Sequence, residues 1–258
     1  MILPRMKDPN EKPLDTIVSD GGFCSIFRTM ACIGDSLASG EFETREADGK
    51  GYYDKFEYSW GQYIARMTGS AVYNFSRGGM TAKEYWESFA EERGFWDPSL
   101  RAQAYVIALG VNDLLNRGGT CGTVADYLAG NEQTFAYYYG KIVERLKEIA
   151  PNAFFFFVTM PKKGSCADED QPETMRQHRA LLDAFAAHFS QSYVIDLYTY
   201  APVMDAEYRA NFFLNSHLNA LGYRLSAQMI ASYIDYIIRQ HPRDFDYVGF
   251  ESTDGFIR

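Results

Sequence analysis

Five short apolar runs, at residues 27–33, 71–75, 105–109, 154–158 and 193–197, constrain this chain more than any other feature. Each is rich in β-branched or aromatic residues and lacks the polar alternation of a half-exposed strand, so each reads as a strand buried on both faces. Between them, residues 55–68, 82–93, 133–149 and 173–189 carry apolar side chains three and four apart, and a last helix is expected at about 220–239. Strands alternating with helices give a parallel sheet covered on both sides, a three-layer αβα sandwich. Residues 45–53 and 116–130 contain glycines and no strong period and read as loops.

A chain of 258 residues that is 47% hydrophobic can bury one large core, so residues 1–258 are expected to form a single domain, with 1–26 an N-terminal extension and 241–258 a C-terminal tail. With 25 Lys plus Arg against 34 Asp plus Glu, the formal charge of −9 would repel a phosphate backbone, which argues against nucleic acid. Arg5, Lys7, Asp8 and nearby prolines interrupt the apolar start, so no signal peptide is expected, and no stretch approaches the roughly 18 apolar residues of a membrane span. Cys24, Cys32, Cys121 and Cys166 lie far apart without paired histidines, which argues against zinc and against a disulfide framework. The expected setting is the cytoplasm, with no metal, no cofactor and no membrane partner; oligomeric state stays open.

In an open α/β sheet the ligand crevice lies at the carboxyl ends of the strands, and four polar clusters map there. Gly34-Asp35-Ser36-Leu37 follows the first strand, and Asn74-Phe75-Ser76-Arg77-Gly78-Gly79-Met80-Thr81 closes the second. Gly110-Val111-Asn112-Asp113 follows the third, and Ser216-His217-Leu218-Asn219 lies after the fifth and leads into the last helix. Acyl transfer needs a hydroxyl, an imidazole to take its proton, and preorganised donors for the oxyanion. Ser36 and His217 would supply the first two. The backbone N–H groups of Ser36 and Gly79 and the side-chain amide of Asn112 would supply the donors.

These four blocks, in this order from residue 31 to 223, resemble the SGNH, or GDSL-type, esterase and acylhydrolase superfamily. The resemblance implies a flavodoxin-like αβα fold with a five-stranded parallel sheet. It also implies metal-free hydrolysis of carboxylic esters or thioesters through an acyl-serine, with small carbohydrate or other acetyl esters among the candidates. GxSxG, the elbow of α/β-hydrolases, is absent. One position departs from the family pattern: the aspartate usual three residues before the histidine is Leu214. A backbone carbonyl near Leu214 or Asn215, the Asn215 side chain, or Asp196 at the end of the fifth strand could hold the ring instead; the carbonyl is preferred, giving a Ser-His dyad. Leu214 keeps alive a second reading, a binder of esters or carbohydrates without turnover. A flavin or nucleotide domain is a weaker third, because neither a Walker A run nor GxGxxG follows the first strand.

Other polar and aromatic residues read more plainly. Asp35 and Asp113 are expected to order loops as hydrogen-bond acceptors. His178, His188 and His241 are expected to be structural or solvated, and Lys162, Lys163 and Arg77 to be solvated loop charges. The aromatics at 51–53, 58–60 and 95–96 are expected in the core rather than in a ligand pocket. The tail aromatics Phe245, Tyr247, Phe250 and Phe256 could cover the domain or a second subunit.

Overall fold

The computed structural model describes residues 8–47 and 49–250. Its strands are β1 (Thr29–Gly34), β2 (Glu41–Glu46), β3 (Gly49–Asp54), β4 (Ala71–Ser76), β5 (Ala104–Ala108), β6 (Phe154–Val158), β7 (Ser192–Ile195), β8 (Phe213–Leu214) and β9 (His217–Leu218). Five of them form one parallel sheet in the order β4-β1-β5-β6-β7. The chain thus starts in the middle and reverses direction at β1, whose carboxyl end lies between those of β4 and β5. That reversal is where an open sheet leaves a crevice.

Alternate residues of each strand feed opposite cores. Ala31, Ile33, Tyr105, Phe155 and Phe157 face one layer, built by the helical stretches Ala82–Glu84, Phe135–Ile149 and Glu173–His188. Met30, Cys32, Val106, Phe154 and Phe156 face the other, built by Trp60–Thr68 and Ala220–Gln240. Every residue of β6 is buried, and a fully buried phenylalanine is worth about 1.5–3 kcal/mol. The αβα sandwich and its five-stranded sheet are therefore as expected.

Two expected loops are ordered otherwise. Residues 45–46 and 49–53 belong to the antiparallel hairpin β2–β3, which pairs Glu41 with Asp54 and Glu46 with Gly49. Its strands are mostly exposed and charged, so they carry no apolar run to read; the hairpin signal is the dipeptide Asp48-Gly49. Residues 116–130 contain a short helix, Val124–Leu128, started by a capping box between Thr123 and Asp126. The helix expected from 55 begins at Trp60, where the Ser59 side chain accepts from the Gln62 N–H. The first strand starts at Thr29 because Phe27 leaves the ladder to pack its ring on Phe154 and Phe156.

The segment before β1 is tied to the last helix: the Val18 N–H donates to Ser232 Oγ at 2.9 Å and the Phe23 N–H to Asp235 Oδ1 at 2.7 Å. After that helix, Phe245 packs back and stacks on Phe154 at 4.5 Å, whereas Tyr247 and Phe250 are exposed. Phe256 lies outside the described residues. Among the described residues no helix is long and apolar enough to cross a membrane.

Candidate active site

The turn leaving β1 is shaped by two small groups. Gly34 runs so close to its neighbours that an added Cβ would sit 2.6 Å from Ala38 Cβ and 2.9 Å from the Ala108 carbonyl oxygen. Asp35 caps the helical turn Ser36–Ser39, its Oδ1 accepting from the Leu37 N–H at 3.0 Å, which makes half-buried Ser36 the first helical residue. The Tyr223 hydroxyl, on the last helix, donates to the Glu41 carbonyl at 2.6 Å and lies 3.2 Å from the Ser36 carbonyl.

Beyond β4, Gly79 takes φ 72° and faces open space. Thr81 then caps the helix that follows, accepting from the Glu84 N–H. Beyond β5, Asn112 sits in the helical turn Val111–Asn116. Its Nδ2 donates to the Met80 carbonyl at 3.1 Å and reaches Asp35 Oδ2 at 3.4 Å, while its Oδ1 accepts from Asn116 at 2.8 Å. One amide therefore joins the loops after β1, β4 and β5. Asp113 adds a second tie, accepting from the Ala82 N–H at 2.9 Å. Both aspartates order loops, as expected of them. Burial pushes the Asp35 carboxyl up to about 6 and the Asp113 carboxyl up to about 7.

His217 opens β9, opposite Leu214 of β8, and Asn219 caps the last helix just after it. Two glutamates of β2 meet its ring. Glu41 Oε1 lies 3.1 Å from Nε2 and Glu43 Oε2 lies 3.5 Å from Nδ1. The Ser216 hydroxyl, bonded to Glu43 Oε2, is 3.2 Å from Nδ1, and Tyr52 of β3 meets the ring edge-on at 5.8 Å. Burial lowers the His217 pKa, but Glu41 and Glu43 together outweigh it and the net shift is upward. Among the described residues no hydrogen bond joins Ser36 Oγ to His217; the Nε2 edge faces Glu41. The other Glu41 oxygen lies against Gly78, where any side chain would collide with it. The Glu41 carboxylate thus spans from the imidazole to the loop that carries Gly79.

With this geometry, the sequence matches the GDSL-like lipase/acylhydrolase family over residues 32–225, from the end of β1 into the last helix. The chain belongs to that family. It is accordingly a hydrolase of ester bonds. No curated protein matches it in sequence. Among solved structures it is similar to a protein from Lactobacillus plantarum at 17% identity, covering 83% of this chain and 98% of that one with a TM-score of 0.61. It is similar also to Est24, a carbohydrate acetylesterase from Sinorhizobium meliloti (17% identity, 81% of this chain, 99% of that one, TM-score 0.55). A third is a family two carbohydrate esterase from Clostridium thermocellum in complex with cellohexaose (16% identity, 82% of this chain, 64% of that one, TM-score 0.58). At such identities the likeness speaks for the fold.

In this GDSL-type hydrolase the Asn215 carbonyl, one form of the preferred substitute for the missing aspartate, lies 3.4 Å from Arg209 Nη2, and the Asn215 and Asp196 side chains are engaged elsewhere. Leu214 is 42% exposed. Asn215, at φ 60°, donates its side-chain amide to the Glu43 carbonyl at 2.9 Å. Asp196 pairs with Arg179 at 2.8 Å, accepts from Thr159 at 3.2 Å and caps the turn Leu197–Tyr200. The groups at Nδ1 are Ser216 and Glu43. Sequence reasoning missed Glu41 and Glu43, which lie on a strand with no apolar run to read, and assigned Tyr52 to the core. Tyr52, Tyr53 and Tyr58 are exposed rather than in the core, whereas Trp60 is buried as expected.

His178 is fully buried with Nε2 3.1 Å from the Leu109 carbonyl, and burial lowers its pKa to about 4, in keeping with a structural role. Lys162 is paired with Asp168 at 2.5 Å, so it is not simply solvated. An apolar cavity of about 90 Å³ beside the site is lined by Leu37, Val111, Met160, Leu218 and Met229, among others. A larger one of about 850 Å³ lies far from these motifs, between the N-terminal segment and Asp235 and Arg239.

Proposed function

We propose that this hydrolase cleaves small carboxylic esters or thioesters through an acyl-serine on Ser36. In the forward half-reaction the Ser36 oxygen attacks the carbonyl carbon while His217 Nε2 takes the hydroxyl proton. The tetrahedral oxyanion is held by the N–H groups of Ser36 and Gly79 and by the Asn112 Nδ2–H that otherwise makes the long 3.4 Å contact with Asp35. Collapse expels the alkoxide or thiolate, which receives the proton from His217, and the acyl group stays on Ser36. Water then attacks the acyl-serine with the same groups in the same roles, releasing the acid.

The observation that carries the reading is the placement of Asn112 Nδ2 at 3.1 Å from the Met80 carbonyl and 3.4 Å from Asp35 Oδ2. It holds the nucleophile turn, the glycine loop and the amide donor within a hydrogen bond of one another. For Nε2 to reach Ser36, Glu41 has to yield its place on the ring. The cavity beside the site is small and mostly apolar, about 90 Å³, which favours a short acyl group. Small acetyl esters, on carbohydrates or other alcohols, fit that size. Four cysteines without a disulfide are compatible with a reducing cytoplasm.

One observation favours the rival reading, a binder without turnover: Glu41, not Ser36, is on Nε2. A fluorophosphonate probe decides between them. Covalent labelling that is lost in Ser36→Ala supports the esterase, and well-folded protein that resists the probe from pH 6 to 9 supports the binder. Rates across p-nitrophenyl esters of rising chain length are expected to peak at acetate or propionate.

A further inference from the structure

Building on the Ser36–His217 reading, we propose that Glu43, carried on the β2–β3 hairpin, supplies the carboxylate that orients His217, replacing the acid absent at position 214. Glu43 is 1% exposed and approaches the imidazole from a strand more than 170 residues away in sequence, not from the loop that precedes the histidine. Its Oε2 collects the Ser216 N–H at 3.1 Å and the Ser216 hydroxyl, and stands 3.5 Å from Nδ1. Because the single hydroxyl proton of Ser216 goes to the carboxylate, the Ser216 oxygen, 3.2 Å from Nδ1, is left to accept. The chain runs from the Nδ1–H to Ser216 Oγ and from its O–H to Glu43. With the Glu41 carboxylate on Nε2 the ring carries a proton on both nitrogens; once Glu41 yields that place, the Nδ1–H relay leaves Nε2 as the basic nitrogen required opposite Ser36.

A carboxylate shielded from solvent needs partners to remain charged. Glu43 has them: Lys50 Nζ of β3 lies 2.9 Å from Oε1, and Asn215 Nδ2 bonds to the Glu43 carbonyl, locking strand to loop. The Ser216 hydroxyl first, and Lys50 next, hold its pKa down to about 2, so it stays ionised wherever an esterase is assayed. The ring is faced by Glu41 and Glu43 from β2, Tyr52 from β3, Ser216 from its own loop and Asp35 from the turn after β1, with Lys50 behind Glu43. Of these, only Glu43 and Ser216 address Nδ1. Glu43 acts through His217 and is a positioning residue.

The test compares Glu43→Gln with the wild type by NMR titration of the His217 ring and by kcat and KM as functions of pH. Glutamine keeps an acceptor for Ser216 but removes the charge, so a merely structural Glu43 would leave both readouts in place. The expected result is a lower His217 pKa, a mixed tautomer, and a kcat reduced by roughly 10²- to 10⁴-fold with little change in KM. Ser216→Ala, at an exposed position, cuts the relay without burying a new group and is expected to lower the His217 pKa and to reduce kcat several-fold. If either folded variant leaves the His217 titration unchanged and kcat within threefold of wild type, the proposal is overturned. Failure of the esterase reading would look different: wild type neither turned over nor labelled at Ser36. The His217 titration would still decide whether Glu43 governs the ring.

Discussion

The carboxyl edge of the parallel sheet and the β2–β3 hairpin meet at one imidazole, yet they are built on opposite terms. The sheet edge is held by buried strands and by short polar turns whose residues repeat a family pattern, from Gly34 through Asn112. The hairpin is exposed, charged and outside any apolar pattern; its inward-facing Glu43 is the buried exception. At the edge, loops are fixed by neighbours in the same sheet, as when Asn112 reaches Met80. On the hairpin, Glu41 and Glu43 are fixed by what they touch across the cleft. A chain that has lost the acid of one loop can regain it from another element, provided that element presents a carboxylate to the same ring nitrogen.

The comparison can be broken first at the sheet edge. Ser36→Ala is expected to lower ester hydrolysis by on the order of 10⁴-fold or more, read as the steady-state rate on p-nitrophenyl acetate. A residual rate near wild type would remove the nucleophile from this edge altogether. Next, Asn112→Ala is expected to reduce kcat by roughly 10²- to 10³-fold, since one oxyanion donor is lost, with KM less affected. Because Asn112 also ties three loops, its melting temperature should be measured beside its rate; a large drop would shift its role toward structure.

The hairpin gives the smaller and more informative effects. His217 is held above its ordinary pKa, and only the neutral ring can take a proton, so activity rises with pH through that raised value. Glu41→Gln removes one of the two charges responsible. The rising, acid-side limb of the kcat/KM profile should move to lower pH, with a several-fold gain at pH 6 and almost none at pH 9. An unmoved limb would show that Glu41 does not sense the ring in solution.

The smallest effect is on stability. Asp35 and Asp113 have native carboxyls raised from 3.8 to about 6 and about 7, so the folded state favours the protonated form. The stability that this contributes is present below their unfolded value and is lost as pH rises through those native values. Asp35→Asn and Asp113→Asn should therefore flatten the fall in thermal stability between about pH 4 and 7. Differential scanning calorimetry across that range would check it.

Much of the fold could be read in advance because burial on both faces leaves a strong mark. The FFFFV run of β6 can hardly be anything but a central strand, and the segments between the runs carry the helical period that covers a sheet. The hairpin left no such mark, since its outward face is charged and only Asp48-Gly49 signals a turn. The tail shows a similar limit: Phe245 seals the core beside Phe154, while Tyr247 and Phe250, equally aromatic in sequence, stay exposed. Composition alone does not rank such side chains, because which ring is covered depends on the direction in which the tail leaves the last helix.

By itself the sequence determined the layer architecture, the family, and the strand ends on which Ser36, Gly79 and Asn112 would stand, because these follow from local periodicity and from turn chemistry within a few residues. What only the tertiary structure decided is the company of His217. Leu214, three residues before it in the chain, brings no carboxylate, and the carboxylates that reach its two nitrogens come from β2, more than 170 residues earlier. Electrostatic partners are chosen by distance in space, and a charged side chain carries no trace in sequence of which distant ring it will face.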